Sequence, residues 1–205
     1  MSKRIAVFCS GNGSNFEAIL TAIRRKKLRA EVAVMVCDNP KAYAIRRANQ
    51  LNVPVAIIPS RLFSSRKDHE KLIIAILKDQ QVDAVVLAGY MRIFTPYFIK
   101  VYRGRVLNIH PSLLPAFKGA HAIRDAFEAG VKETGVSVHL VTDKMDAGPV
   151  LARVKVRRAS WETLASLETK IHRAEYALYP KAIGEFLRNG FANAGKPVGG
   201  RARLL

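Results

Sequence analysis

The fold is decided by a stretch near the start of the chain, residues 4–16: Arg4-Ile5-Ala6-Val7-Phe8-Cys9-Ser10-Gly11-Asn12-Gly13-Ser14-Asn15-Phe16. It begins with an apolar run of strand length, and the glycines that follow allow the backbone to turn tightly. From Phe16 onward, apolar side chains recur at the spacing of an amphipathic helix. A strand that passes through a glycine turn into a helix begins a βαβ unit, so we expect a parallel sheet covered by helices.

Strand-length apolar runs continue to alternate with helical stretches through the first half of the chain, and two strands and a helix then follow. We expect strands at residues 4–9, 31–37, 53–59, 82–88, 105–109, 134–141 and 149–157. The final helix is predicted to be capped by Ser160, with one face formed by Trp161, Leu164, Leu167, Ile171 and Ala174. These elements predict an α/β fold: a Rossmann-like open twisted sheet with a parallel N-terminal half, an antiparallel or looped strand pair and a long C-terminal helix.

The composition is typical of a globular protein with one main domain. The 205 residues are 49% hydrophobic and 24% charged, which favours a buried core over disorder. We assign residues 1–188 to one domain and residues 189–205 to a glycine-containing basic tail. No apolar run is long enough for a membrane span or a signal peptide, so we expect a cytoplasmic protein that does not bind membranes. Cys9 and Cys37 each end an apolar run and are predicted to be buried thiols.

The chain is strongly basic, because 34 Lys and Arg against 16 Asp and Glu give a formal net charge of +18. Such a charge can mark a nucleic-acid-binding protein. Here the basic residues fall in short clusters without interleaved aromatic residues, so we predict no specific nucleic-acid partner. We favour a basic surface that attracts anionic metabolites; a basic RNA- or nucleotide-binding module without chemistry is the alternative from another class.

A phosphate-binding turn is indicated by Ser10-Gly11-Asn12-Gly13-Ser14-Asn15. Glycines let the backbone approach a ligand, and the free amides and dipole of a helix start favour an anion. A dinucleotide site would need a third glycine where this chain has Phe16, so we predict a single phosphate group held by residues 11–15. An ordinary Gly-Asn turn capped by Ser14 or Asn15 is the open alternative.

Polar side chains follow the fifth predicted strand, in Asn108-Ile109-His110-Pro111-Ser112-Leu113-Leu114-Pro115. Asn108 and His110 are two residues apart and so share a face of the strand, whose carboxyl end is where open α/β sheets bind ligands. If Asp146, in a later loop, folds back to His110, its charge would favour the imidazolium. A cation beside an amide suits oxyanion stabilisation and proton movement in acyl transfer. A structural histidine and an aspartate that only forms a turn are the alternatives.

Other catalytic schemes fit the sequence less well. The chain has no G-x-S-x-G nucleophile turn and no H-E-x-x-H zinc motif. The histidines are also not spaced closely enough in the sequence to form a metal-ligand motif; they are His110, His121, His139 and His172. We interpret His139 as an ordinary strand residue. Direct transfer between two bound substrates, without a metal, is the predicted mechanism.

Four motifs occur in a characteristic order along the chain. They are Ser10-Gly11-Asn12-Gly13-Ser14-Asn15, Leu87-Ala88-Gly89-Tyr90-Met91-Arg92-Ile93, Asn108-Ile109-His110-Pro111-Ser112-Leu113-Leu114-Pro115 and Asp146-Ala147-Gly148-Pro149. In these residues the chain resembles the phosphoribosylglycinamide formyltransferases, which are folate-dependent enzymes of purine synthesis. The resemblance implies that residues 1–188 form a formyltransferase domain with the Rossmann-like fold.

The resemblance also implies a reaction and a set of site residues. The formyl group of 10-formyltetrahydrofolate, a co-substrate, would pass to the amine of N1-(5-phosphoribosyl)glycinamide in the synthesis of IMP. Catalysis would fall to Asn108, His110 and Asp146. The phosphorylated substrate would contact Gly13, Ser14, Asn15 and Glu175. The folate pocket would be lined by Arg66, Met91, Arg92, Ile93, Phe94, Asn108, Thr142, Asp143, Lys144, Met145 and Asp146.

Two related enzymes that handle formyl groups are the alternatives. Formyltetrahydrofolate deformylase would use a similar Asn, His and Asp set with water as acceptor, and is expected to carry an additional N-terminal domain. Methionyl-tRNA formyltransferase would explain the basic surface, and is expected to carry a further C-terminal domain. The expected partners are two small-molecule substrates, and the sequence leaves the oligomeric state open, a homodimer included.

Overall fold

The computed structural model describes residues 2–191, and the chain divides into two compact units, Met1–Leu107 and Asn108–Leu205. The elements of the first unit are β1 (Lys3–Cys9), α1 (Ser14–Arg24), β2 (Ala30–Cys37), α2 (Tyr43–Gln50), β3 (Val55–Ile57), a 3-10 turn (Ser60–Leu62), α3 (Arg66–Asp79), β4 (Ala84–Leu87) and α4 (Pro96–Val101). Strand β5 (Val106–His110) crosses the boundary, and the second unit continues with α5 (Ala122–Glu128), β6 (Glu133–Leu140), β7 (Val150–Arg157) and α6 (Leu164–Asn189). Beyond Phe191, the tail predicted at residues 189–205 lies outside the described residues.

The first unit is built on a parallel sheet. Its strand order is β3-β2-β1-β4, with β5 next to β4, and β1 pairs in parallel with both β2 and β4. All residues from Ile5 to Cys9 are fully buried, as expected for a strand whose two faces are both covered. The predicted parallel N-terminal half of an α/β fold is confirmed.

Two strands of this sheet are shorter than predicted. β3 is confined to three residues between Pro54 and Pro59, because proline has no N–H to donate to a strand ladder. β4 starts late because the Val82 N–H donates to the Leu77 carbonyl at the end of α3. It stops before Gly89, which turns the chain at a φ of 78°.

The second unit contains the antiparallel strand pair. β6 and β7 run antiparallel with Val136 opposite Val154, and the strand order is β5-β6-β7. The 26-residue helix α6 packs against both β6 and β7. The antiparallel pair and the long C-terminal helix of the predicted fold are therefore confirmed.

The start of α6 corrects the sequence prediction. The capping residue is Thr163, whose side chain accepts a hydrogen bond from the Ser166 N–H at 3.2 Å, and not Ser160. A cap must place its oxygen within reach of the third helical N–H, and Ser160 precedes the helix by too many residues to do so. Trp161 consequently lies outside the helix and is 86% exposed, whereas Leu167 is buried as predicted.

Both cysteines are free and buried, as predicted. Cys9 and Cys37 occupy paired positions on β1 and β2. Burial raises the pKa of the Cys9 thiol, because the charged thiolate is poorly solvated there. Within residues 2–191, none of the helices combines the length and the apolar character that a membrane crossing requires.

Candidate active site

The turn between β1 and α1, residues 10–15, has features of an anion site and is called the phosphate turn here. Gly13 directly precedes α1 in a left-handed conformation, with a φ of 78°, which glycine adopts at low cost. No side chain of the described residues caps α1. The positive end of the helix dipole at this position favours an anion. Phosphate binding by Gly13, Ser14 and Asn15 stays a prediction.

The phosphate turn is held by α2, a helix that the sequence analysis did not assign to the site. The Ala44 N–H donates to the Gly11 carbonyl at 3.1 Å. Arg47 donates to the carbonyl and to the side-chain oxygen of Asn12, at 3.0 Å and 2.8 Å, and pairs with Glu17. These contacts fix the backbone of the turn before any ligand arrives.

Gly13→Ala tests this support. An added Cβ would lie 2.7 Å from the Cβ and 2.9 Å from the Cα of Ala44, and alanine would have to hold a positive φ. We expect the free energy of unfolding to fall by about 1–3 kcal/mol, measured by urea denaturation. Gly11→Ala is the matched control, because a Cβ at Gly11 meets nothing within 4 Å. Equal losses in the two variants would contradict this account of the turn.

A buried carboxylate joins the phosphate turn to the loop after β4. Asp38 accepts hydrogen bonds from Ser10 Oγ at 2.6 Å and from Arg92 Nε at 2.7 Å, and its side chain is 5% exposed. The Met91 N–H in turn donates to Ser10 Oγ at 2.9 Å. Sequence reasoning missed Asp38. The sequence feature that could have identified Asp38 was its position directly after Cys37, at the carboxyl end of β2, where open α/β sheets bind ligands.

The loop after β4 presents two exposed apolar side chains. Met91 is 69% exposed and Ile93 is 59% exposed, which fits side chains that cover a ligand. Phe94 is buried and stacks on Phe98 with 3.9 Å between ring centroids, so it supports the loop from the core. Arg66 is exposed at the first position of α3. Folate contacts by these residues stay predictions.

The second unit brings Asn108, His110 and Asp146 into one cluster. Asp146 Oδ2 lies 3.6 Å from His110 Nδ1 and accepts a hydrogen bond from the Gly119 N–H at 3.0 Å. His139 Nε2 lies 3.5 Å from Asp146 Oδ1 and 3.2 Å from Asn108 Nδ2. The approach of Asp146 to His110, on which the sequence hypothesis depended, is present.

The contacts of His110 place an oxygen acceptor beside each ring nitrogen. Its Nε2 is 2.7 Å from the Phe117 carbonyl, and because a carbonyl only accepts, Nε2 carries a proton. Its Nδ1 faces the Asp146 carboxylate, 3.6 Å from Oδ2. The ring is therefore held between a carbonyl and a carboxylate.

His139 belongs to the cluster, although the sequence analysis treated it as an ordinary strand residue. It does lie in β6, but the β6–β7 register shifts between Val138 and His139. Such irregularities re-aim side chains and are common beside active sites. The ring contacts both Asn108 and Asp146. The sequence signal was a polar alternation, Ser137-Val138-His139, in a strand that is otherwise largely apolar.

The cluster stabilises the ionised carboxylate of Asp146. A hydrogen-bonding contact with His139 is the largest cause; the Gly119 N–H and the charge of His110 add to it. Together they outweigh burial and lower the pKa of Asp146 from 3.8 to about 2. A carboxyl whose pKa falls on folding contributes stability above its unfolded pKa, and this stability is lost as pH falls toward the folded value.

Acid unfolding of the wild type and of Asp146→Asn tests this linkage. We expect the wild type to exceed the variant in free energy of unfolding by about 1–2 kcal/mol at pH 7 and 5, and by roughly half of that at pH 3. Urea denaturation at the three pH values gives the comparison. Asp125→Asn, which removes an exposed carboxylate from α5, is the control. A wild-type advantage as large at pH 3 as at pH 7 would disprove the linkage.

The remaining predicted residues occupy α6 and the loop after β6. Glu175 is buried in α6 and accepts a hydrogen bond from His172 Nδ1 at 2.9 Å, which raises the pKa of His172. In the loop, Thr142 Oγ1 donates to the Lys144 carbonyl at 3.2 Å, and Met145 is 55% exposed. Substrate contact by Glu175 and folate contact by residues 142–146 stay predictions.

An imidazole beside a carboxylate, with an amide on the same face of the strand and an open α/β scaffold around them, is suited to an enzyme that transfers a group through an oxyanion. Comparison with known proteins identifies the kind of group that such enzymes transfer. The family model described as "Formyl transferase" matches residues 3–183. The chain belongs to the formyl transferase family, and the resemblance recognised in its four motifs is confirmed.

Three individual proteins show which members of this family the chain is similar to. The phosphoribosylglycinamide formyltransferase of Bacillus subtilis (strain 168) is 41% identical over 194 residues, covering 95% of this chain and 98% of that one. The crystal structure of glycinamide ribonucleotide transformylase 1 from Geobacillus kaustophilus has a TM-score of 0.89 and 46% identity, covering 91% of this chain and 100% of that one. The human trifunctional purine biosynthetic protein adenosine-3 is 34% identical over 180 residues, which are 88% of this chain and 18% of that protein.

Proposed function

We propose that the protein is a phosphoribosylglycinamide formyltransferase. It transfers the formyl group of 10-formyltetrahydrofolate to the amine of N1-(5-phosphoribosyl)glycinamide, a step in the synthesis of IMP. The observation that carries the proposal is the cluster of Asn108, His110 and Asp146 in a chain that belongs to the formyl transferase family. We place the reaction in the cytoplasm, which the two free, buried thiols support.

Each unit of the chain contributes a defined task to the proposed reaction. The phosphate turn of the first unit binds the phosphate of the acceptor through the N–H groups at the start of α1. Glu175 binds the same substrate. The apolar side chains of Met91 and Ile93 and the loop at residues 142–146 bind the folate.

The chemistry takes place at the cluster of the second unit. The acceptor amine attacks the formyl carbon, which forms a new C–N bond and a tetrahedral oxyanion. The His110 Nε2–H and the Asn108 amide donate to that oxyanion; Nε2 lies 2.7 Å from the Phe117 carbonyl in the structure, and the oxyanion replaces that carbonyl as its acceptor. The bond to the folate nitrogen then breaks as His110 passes a proton to that nitrogen, and the proton that the amine loses replaces the one given by His110. Asp146, 3.6 Å from His110 Nδ1, orients the ring.

An assay with both substrates tests the proposal. The purified protein should convert N1-(5-phosphoribosyl)glycinamide and 10-formyltetrahydrofolate to the formylated product and tetrahydrofolate. The same mixture without the acceptor is the control, because it measures hydrolysis of the donor by water. Release of formate at an equal rate with and without acceptor, and no formylated product, would identify a deformylase and refute the proposal.

A further inference from the structure

The second unit contains a cavity of about 550 Å³ that the proposed reaction does not use. It is lined by Gly130, Lys132, Glu133, Arg157, Arg158 and Ser160. Its volume lies within the usual range of small-molecule sites. The lining comes from the segment after α5, the start of β6, the end of β7 and the turn before α6, and two of its six residues, Glu133 and Arg157, lie in strands.

Three cationic side chains meet at this cavity without acidic partners. Neither Lys132 nor Arg157 forms an ion pair or side-chain hydrogen bond within the described part of the chain. The single carboxylate of the lining, on Glu133, is already paired with Lys155 at 2.7 Å. Like charges that converge without a counter-ion repel one another, so the cavity favours an anionic ligand.

Arg158 is held in place with unused hydrogen-bonding capacity. Its guanidinium lies over the Phe127 ring at 4.5 Å from the centroid. Its Nε is buried and has no hydrogen-bond partner among residues 2–191. Its backbone N–H donates to the Lys132 carbonyl at 3.0 Å and so extends the β6–β7 ladder. A fixed guanidinium with free donors is suited to the oxygens of a phosphate group.

The cavity is distinct from the catalytic cluster. Glu133 is the first residue of β6, whereas His139, which contacts Asp146, lies at the opposite end of the same strand. Six residues of extended strand separate the two positions by roughly 20 Å. A ligand in the cavity therefore cannot be the group that reacts at His110.

We infer that this cavity is a second anion site, and that it binds a phosphorylated small molecule of about nucleotide size. Lys132 and Arg157 supply exposed positive charges at its edge, and Arg158 supplies a positioned guanidinium. This inference does not rest on the proposed reaction, because no residue of the cavity takes part in it. It also gives a local role to part of the excess positive charge of the chain.

Binding measurements on the full chain test the inference. Inorganic phosphate and ATP are titrated separately at constant ionic strength, with chloride as the balancing anion. Binding is followed by calorimetry and by the fluorescence of Trp161, the chain's single tryptophan, which follows Ser160 of the cavity. In K132E/R157E, affinity should fall at least about tenfold, because two charged contacts are lost. Both side chains are exposed, and unfolding curves check that the variant folds.

Two further variants distinguish binding in this cavity from general charge attraction and from binding at the phosphate turn. Arg153→Glu reverses one charge at an exposed position of β7 outside the cavity, half the charge change of K132E/R157E, and should leave affinity unchanged. Gly13→Ala, in the phosphate turn, should also leave the Trp161 signal unchanged. The inference fails if the wild type responds to phosphate and ATP no more than to chloride, or if Arg153→Glu weakens binding as much as K132E/R157E. It also fails if binding is lost in Gly13→Ala and kept in K132E/R157E, which would place the anion at the phosphate turn.

Discussion

Replacing His110 with alanine should lower kcat for formyl transfer by at least about 10²-fold. The ring is 4% exposed and meets acceptors at both nitrogens, so the variant loses a charged donor and a proton carrier together. The KM values for both substrates should change much less, because the phosphate turn and the side chains proposed to bind folate are untouched. Steady-state kinetics with each substrate varied in turn separates the two effects.

Chemical rescue distinguishes loss of the ring from damage to the fold. His110→Ala leaves a cavity that free imidazole can enter, and added imidazole should restore part of the rate. Urea unfolding should show a folded variant. An unchanged kcat in His110→Ala would remove the ring from the mechanism, and a loss of rate that imidazole cannot restore in a folded variant would make its role structural.

Asp146→Asn should lower kcat by roughly 10- to 10²-fold. The carboxylate lies 3.6 Å from His110 Nδ1, where its negative charge stabilises positive charge that the ring carries during proton transfer. A neutral amide in its place removes this electrostatic contribution. Steady-state rates of the two enzymes at one pH give the comparison.

Asp125→Asn is the matched control for this variant. It makes the same chemical change at an exposed position of α5, away from the catalytic cluster. Its rate should equal that of the wild type. An Asp146→Asn enzyme as fast as the wild type would remove the carboxylate from the mechanism.

The parts of the fold that the sequence predicted are those that local pattern determines. The turn from β1 into α1 follows from an apolar run, two glycines and a helical repeat. The shared face of Asn108 and His110 follows from the alternation of side chains along a strand. The cap of α6 was misplaced because Ser160 and Thr163 are both good capping residues, and only the path of the chain selects Thr163.

The parts that could not be predicted depend on contacts between distant segments. Asp38 reaches Ser10 across 28 positions of the sequence, and His139 reaches Asn108 across 31. Neither pair shares a periodic pattern, because each contact is made by the pairing and packing of separate strands. Arg47 likewise supports the phosphate turn from a helix whose own sequence contains no site motif.

Following an isotopically labelled formyl donor by NMR tests the central claim most directly. With the wild type and both substrates, the label should pass into the formylated acceptor, with no label in formate and none bound to the protein. With His110→Ala, transfer in the same period should be almost undetectable. Label that collects in formate, that is held covalently by the protein, or that reaches the acceptor equally fast without the imidazole would contradict direct transfer at the Asn108, His110 and Asp146 cluster.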